Sequence, residues 1–209
     1  MATTLTRLFN SHIQALDAVS DLEAAGVRSD RISIVSNNAD NWHGGHKHPD
    51  KTLSDDSHGE VAEGAGKGAA TGGVLGAGAG VLAGLGMLAI PGLGPVVAAG
   101  WLASTAVGAA VGAAAGGATG GILGALKDAG HSDDEAHVYA EGVRRGGTLV
   151  SVKTDESDAS RLQAILDGRR GYDAATRGAA YRDSGWSAFD PDAPAYSTDQ
   201  IEQERARYR

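Results

Sequence analysis

Three stretches of this chain alternate apolar and polar residues with the two-residue period of a half-buried strand: "TLTRLF" (4–9), "RISIVS" (31–36) and "TLVSVKT" (148–154). Between the first two, Ile13, Leu16, Val19 and Leu22 repeat with helical spacing and form one apolar stripe. Ser11 with Gln14 three residues later predicts a capping box at the start of this helix, and Gly26 predicts a left-handed end. A second box, Ser132 with Glu135, opens "DDEAHVYAEGVRR", which carries acidic residues in its first turn and Arg144 and Arg145 in its last. Gly146 or Gly147 closes it. A third helix begins at Asp155 or Ser157 and turns Leu162, Ile165 and Leu166 inward.

The pattern divides the chain into five regions. Residues 1–36 and 131–170 are two halves, β-α-β and α-β-α, of one small α+β domain. Residues 37–60 are polar, contain glycine and have no period, which predicts a solvated loop. Residues 61–130 are the insert between the halves, and 171–209 form a tail.

The insert is the unusual part. Gly64, Gly68, Gly72, Gly76, Gly80 and Gly84 recur at every fourth position; after "IPGLGP" the series resumes as Gly100, Ser104, Gly108, Gly112, Gly116, Gly120 and Gly124. Small residues in that register let two helix backbones approach closely, so both arms read as glycine zippers and the region as a long α-helical hairpin. Pro91, Gly92, Gly94 and Pro95 suit its tip. The eight glycines from Gly68 to Gly86 would cost about 8 kcal/mol in a free helix, so such arms require packing partners or lipid. The stripe also drifts about 40° per fourfold step, more than one straight partner can cover. That predicts a homo-oligomer.

Composition sharpens this. No charged residue lies between Lys67 and Lys127, and a helix from Gly68 to Ala89 would rise about 33 Å, enough for a bilayer core of about 30 Å. The predicted arrangement is a hairpin that associates with or enters the inner membrane from the cytoplasmic side, with Lys67 and Lys127 at the headgroups. The alternative is a soluble homo-oligomer whose hairpins form a buried common core. The net charge of −8 argues against nucleic-acid binding through a basic surface, and the absence of cysteine removes disulfides and thiolate chemistry. The N-terminus lacks a secretory pattern, which with the missing cysteine predicts a cytoplasmic chain.

Chemical motifs are weak. His43, His46 and His48, with His58 nearby, match no closed zinc spacing, so no metal is expected there. "GAGKGAAT" resembles a phosphate loop, but Lys67 is followed by Gly68 rather than Ser or Thr, and no strand directly precedes it. No nucleophile motif joins Ser, His and Asp. The sequence therefore predicts no catalytic residues, no cofactor and no small-molecule substrate.

Three segments, "LTRLFNSHIQALDAVSDLEAAGVRSDRISIVS", "GAGVLAGLGMLAIPGLGPVVAAGWLA" and "HSDDEAHVYAEGVRRGGTLVSVKT", together resemble bacterial proteins with the general stress protein 17M-like (heat-induced stress protein) domain, many of which carry a glycine-zipper insert. The resemblance spans about residues 3–167 and implies a stress-associated protein of poorly defined biochemistry, with no catalytic residues to carry over.

The tail lies outside that resemblance. It holds six of the ten aromatic residues: Tyr172, Tyr181, Trp186, Phe189, Tyr196 and Tyr208. Pro191 and Pro194 predict an extended arm, and Ser197 with Gln200 predicts a short terminal helix. Trp186 and Phe189 are candidate anchors on a neighbouring subunit, unless the arm packs on its own domain.

Overall fold

Alternation in the first segment produces β1 (Ala2–Phe9), whose Thr6 and Leu8 face one side of a sheet while Arg7 and Phe9 face the other. The computed structural model describes residues 2–45, 86–90, 92–105 and 121–208. After β1 come α1 (His12–Ala24), β2 (Ile32–Asn37), a single turn α2 (Trp42–Gly45), β3 (Gly86–Ile90) and β4 (Gly94–Gly100). Then follow α3 (Gly121–Asp128), α4 (Asp133–Arg144), β5 (Thr148–Asp155), α5 (Glu156–Gly168), α6 (Ala174–Asp183) and α7 (Thr198–Arg207). The fold is mixed α+β around a five-stranded antiparallel sheet of order β1-β5-β2-β4-β3.

The strand of the second half thus lies between the two strands of the first. Thr6 pairs with Ser151, and Ser151 with Ser33, so neither half has a complete sheet without the other. Helices cover both faces. Phe9, Ile32, Ile34, Val150 and Val152 bury against Ala18, Leu22, Leu162 and Leu166 of α1 and α5. On the opposite face Leu8, Val35, Val96 and Leu149 bury against Leu126, Val138 and Val143 of α3 and α4.

Local signals shape the helices, with some corrections. Ser11 does cap α1, but it accepts from the Ile13 amide at 3.2 Å rather than forming the reciprocal box with Gln14. The buried stripe is Ala15, Ala18, Val19 and Leu22, and Ile13 stands 61% exposed because α1 is rotated to set small alanines against the sheet. Gly26, at φ +89°, ends α1, and the Val27 amide returns to the Leu22 carbonyl. The Ser132–Glu135 box is complete. Asp155 stands at the N-cap position of α5, though its side chain makes no capping hydrogen bond, and the helix buries Leu162 and Leu166 and half-buries Ile165.

The expected helical hairpin is corrected at its tip. Residues 86–90 and 94–100 form a β-hairpin, and β4 pairs with β2, so this part of the insert belongs to the domain's sheet. Two physical reasons favour strands. Gly92 and Gly94 sit at φ +74° and +80°, a conformation no helix contains, and Ile90, Val96 and Val97 are β-branched. β2 also offers an edge whose backbone groups need partners. Pro91 lies outside the described residues, while Pro95 stands in β4 opposite Ala89. Polar segment 37–60 is also not uniformly solvated: Asn37 and Asn38 are buried, with the Asn37 side chain donating to the Leu93 carbonyl at 3.3 Å.

Candidate functional site

The tail is built into the domain instead of extending from it. Tyr172 exchanges two backbone hydrogen bonds of 2.9 Å with Leu8, covering part of the outer edge of β1. Asp173 then caps α6 by accepting from the Thr176 amide, a bond that holds its carboxyl below the usual range. This helix lay within a segment expected to be extended; the signal was an Asp before "AATRGAAYRD". Phe189 is buried in the core, its amide donating to His137 Nδ1 at 3.2 Å, and Trp186 stacks edge-on against Tyr181. Of the two candidate anchors, Phe189 is buried in the domain's own core and Trp186 packs half-buried against it, as in the alternative in which the arm packs on its own domain. Ser197 and Gln200 form the predicted box at the head of α7.

The docking of α7 uses charge as well as apolar contact. Arg145, at the end of α4, donates to Glu141 at 2.7 Å and to Glu204 of α7 at 3.3 Å, and lies over the Tyr181 ring at 4.2 Å. Glu141 and Glu204 are nearly inaccessible, so each carboxylate is desolvated and stable only because paired. Burial pulls the Arg145 pKa down, but the bond and charge of Glu141 outweigh it and hold the guanidinium protonated. Arg205 donates twice to the Gly146 carbonyl, at 2.8 and 3.1 Å, and once to Asp40 at 2.7 Å. Sequence reading recovered Arg144 and Arg145 as helix-dipole partners but missed this network, because Glu204 lies 59 residues from Arg145.

A second polar group lies under the α3–α4 turn. His131 Nε2 is 2.7 Å from Thr6 Oγ1, which is 2.9 Å from Ser151 Oγ, and Tyr139 donates its hydroxyl to the Thr6 carbonyl at 3.0 Å. Burial lowers the His131 pKa and outweighs the opposing charge of Glu135, so the ring is neutral at pH 7. Burial likewise raises the Tyr139 phenol. The order hydroxyl, imidazole, carboxylate resembles a nucleophile relay, yet Ser151 is fully buried and Thr6 is 2% exposed. Its chemistry is internal satisfaction of hydroxyls that the sheet buries.

Most predicted zipper positions lie outside the described residues: Gly64, Gly68, Gly72, Gly76, Gly80, Gly84, Gly108, Gly112, Gly116 and Gly120. The three that are described do not share one face of a long helix. Gly100 ends β4 at φ +86°, where a Cβ would meet the Ile32 carbonyl at 2.3 Å. Ser104 is exposed in a helical stretch and donates to the Trp101 carbonyl, and Gly124 is half-buried on α3. The expected tip residues Gly92 and Gly94 face the tail, their hypothetical Cβ atoms 2.9 Å from Pro191 and Ala195. Lys127 forms an ion pair with Asp133. Of the loop histidines, His43 is half-buried, and His46, His48 and His58 are outside the described residues. Among the described residues no three His, Asp or Glu side chains converge on a metal-sized site, and no helix is long and apolar enough to cross a membrane.

The far edge of the sheet remains. β3, "GMLAI", is hydrogen-bonded to β4 on one side, and among the described residues no strand pairs with its other side. It carries no charge, and Met87 is 56% exposed. Such an edge is a template for another strand, and proteins that avoid pairing usually place Lys or Pro on it. Comparison of the chain with family models, with curated proteins and with solved structures gives no match.

Proposed function

We propose that this chain is a non-enzymatic, self-assembling protein of the stress-associated class its two halves resemble, acting in the cytoplasm, with copies joined through the uncharged insert. The observation that carries the reading is the outer edge of β3, which no strand among the described residues pairs and which continues the charge-free stretch between Lys67 and Lys127. Backbone pairing of a second strand would satisfy the edge's N–H and C=O groups, and exposed Met87 would gain an apolar neighbour. The glycine register adds close helix contact as a second adhesive element. Sealed Ser151 and Thr6 support the non-enzymatic half of the proposal.

Between the two forms of assembly, the soluble homo-oligomer is favoured. The segment expected at the far end of a membrane hairpin, around Gly92 and Gly94, packs against Pro191 and Ala195 of the chain's own tail, where a bilayer cannot surround it. Sedimentation of the full chain without detergent tests the proposal. A species well above 21.1 kDa is expected, and Met87→Lys should shift it toward that mass. Gly76→Leu or Gly112→Leu should weaken assembly more than Ala77→Leu. A monodisperse 21.1 kDa species refutes self-assembly, and carbonate-resistant recovery with membranes refutes the soluble form.

A further inference from the structure

Oxidisable sulfur is scarce in this chain. It has no cysteine and only two methionines, Met1 and Met87. Met87 stands in β3, on the edge strand that the proposed assembly uses, and with Ile13 it is one of the two large apolar side chains left exposed among the described residues. β3 itself carries no charge and no side-chain hydrogen-bond donor, since its residues are Gly, Met, Leu, Ala and Ile.

The exposure has a structural cause. Met87 pairs with Val97 across the β3–β4 hairpin and shares its face of the sheet, opposite the face on which Val96 and Ala98 enter the core beneath α3 and α4. On the Met87 face, α1 and α5 cover the strands β1, β5 and β2. Val97, one strand in from the edge, is fully buried, whereas Met87 at the edge is 56% exposed. A thioether needs no deprotonation before it reacts, so its oxidation follows access.

We propose that Met87 is an oxidation site that switches self-assembly through β3 off, an inference that rests on the assembly reading above. The oxidant is a hydroperoxide. The Met87 sulfur lone pair takes the terminal peroxide oxygen, the O–O bond breaks, and the proton on that oxygen passes to the departing one. Sulfur is thereby oxidised to a sulfoxide, and hydrogen peroxide is reduced to water. In the assembly Met87 meets β3 of a second copy, which offers the new sulfoxide oxygen no side-chain donor. Burying that acceptor unpaired opposes association. The unassembled chain is the form that reacts, so oxidation withdraws copies from the assembly by mass action.

Hydrogen peroxide treatment of the full chain tests the switch, with peptide mass spectrometry reporting oxygen on Met87 and detergent-free sedimentation reporting assembly. In dilute solution Met87 should gain one oxygen at a rate within about threefold of that in the urea-unfolded chain. The oxidised chain should associate about tenfold more weakly, and methionine sulfoxide reductases supplied with dithiothreitol should restore it. Met87→Leu keeps an apolar side chain of similar size, so it should assemble and stay assembled in peroxide. Oxidation of Met87 more than about tenfold slower in the dilute folded chain than in urea, or assembly unchanged after its full conversion, overturns the switch and leaves self-assembly standing. A monodisperse 21.1 kDa species before any treatment refutes self-assembly and the switch together.

Discussion

Gly146 is where the C-terminal helix meets the rest of the domain, and replacing it by alanine probes that contact with few other changes. It follows α4 at φ +92°, where a side chain is strained by about 1–2 kcal/mol. An added Cβ would also lie 2.2 Å from Ile201 Cγ2 and 3.1 Å from two further Ile201 carbons, so the 1%-exposed Ile201 must leave its seat. Losing that burial costs roughly another 1.5–3 kcal/mol, and the two Arg205 bonds to the Gly146 carbonyl are weakened with it. Together Gly146→Ala should destabilise by about 3–5 kcal/mol. Gly185→Ala is the control: φ is +86° there but nothing lies within 4 Å of the added carbon, so only the backbone cost of about 1–2 kcal/mol applies. Urea unfolding at one fixed protein concentration measures both, with limited proteolysis showing whether α7 is released in the first variant. Equal destabilisation of the two variants would refute the docking of Ile201 on Gly146.

Two other outcomes follow from the tail and from the buried histidine. Phe189→Ala should cost about 3–5 kcal/mol in urea unfolding while sedimentation stays unchanged; lost assembly at unchanged stability would return Phe189 to an intersubunit role. His131 is kept neutral by burial, with its pKa below the ordinary 6.5, so the unfolded chain takes up a proton before the folded one does. Its contribution to stability is complete above about pH 6.5 and is lost as pH falls through the lowered value, with a slope of up to about 1.4 kcal/mol per pH unit that His131→Asn should remove. Acid titration followed by circular dichroism reads this, and an identical acid slope in the variant would show that other groups set it.

What the chain's own pattern determined were the elements whose signals are local. The period-two runs around Leu8, Ile34 and Val150, the boxes at Ser132 and Ser197, and the left-handed end at Gly26 each rest on residues within a few positions of one another, and each formed. The α+β class followed from their order. Tertiary structure decided everything that depended on partners distant in sequence. It placed β5 between β1 and β2, because only there do Ser33, Thr6 and Ser151 share one row. It drew residues 86–100 into the sheet, where the edge of β2 outweighed a glycine register that reads as helix. It also set Phe189 and Ile201 into the core and closed Glu204 onto Arg145, since a buried charge is stable only where a partner reaches it.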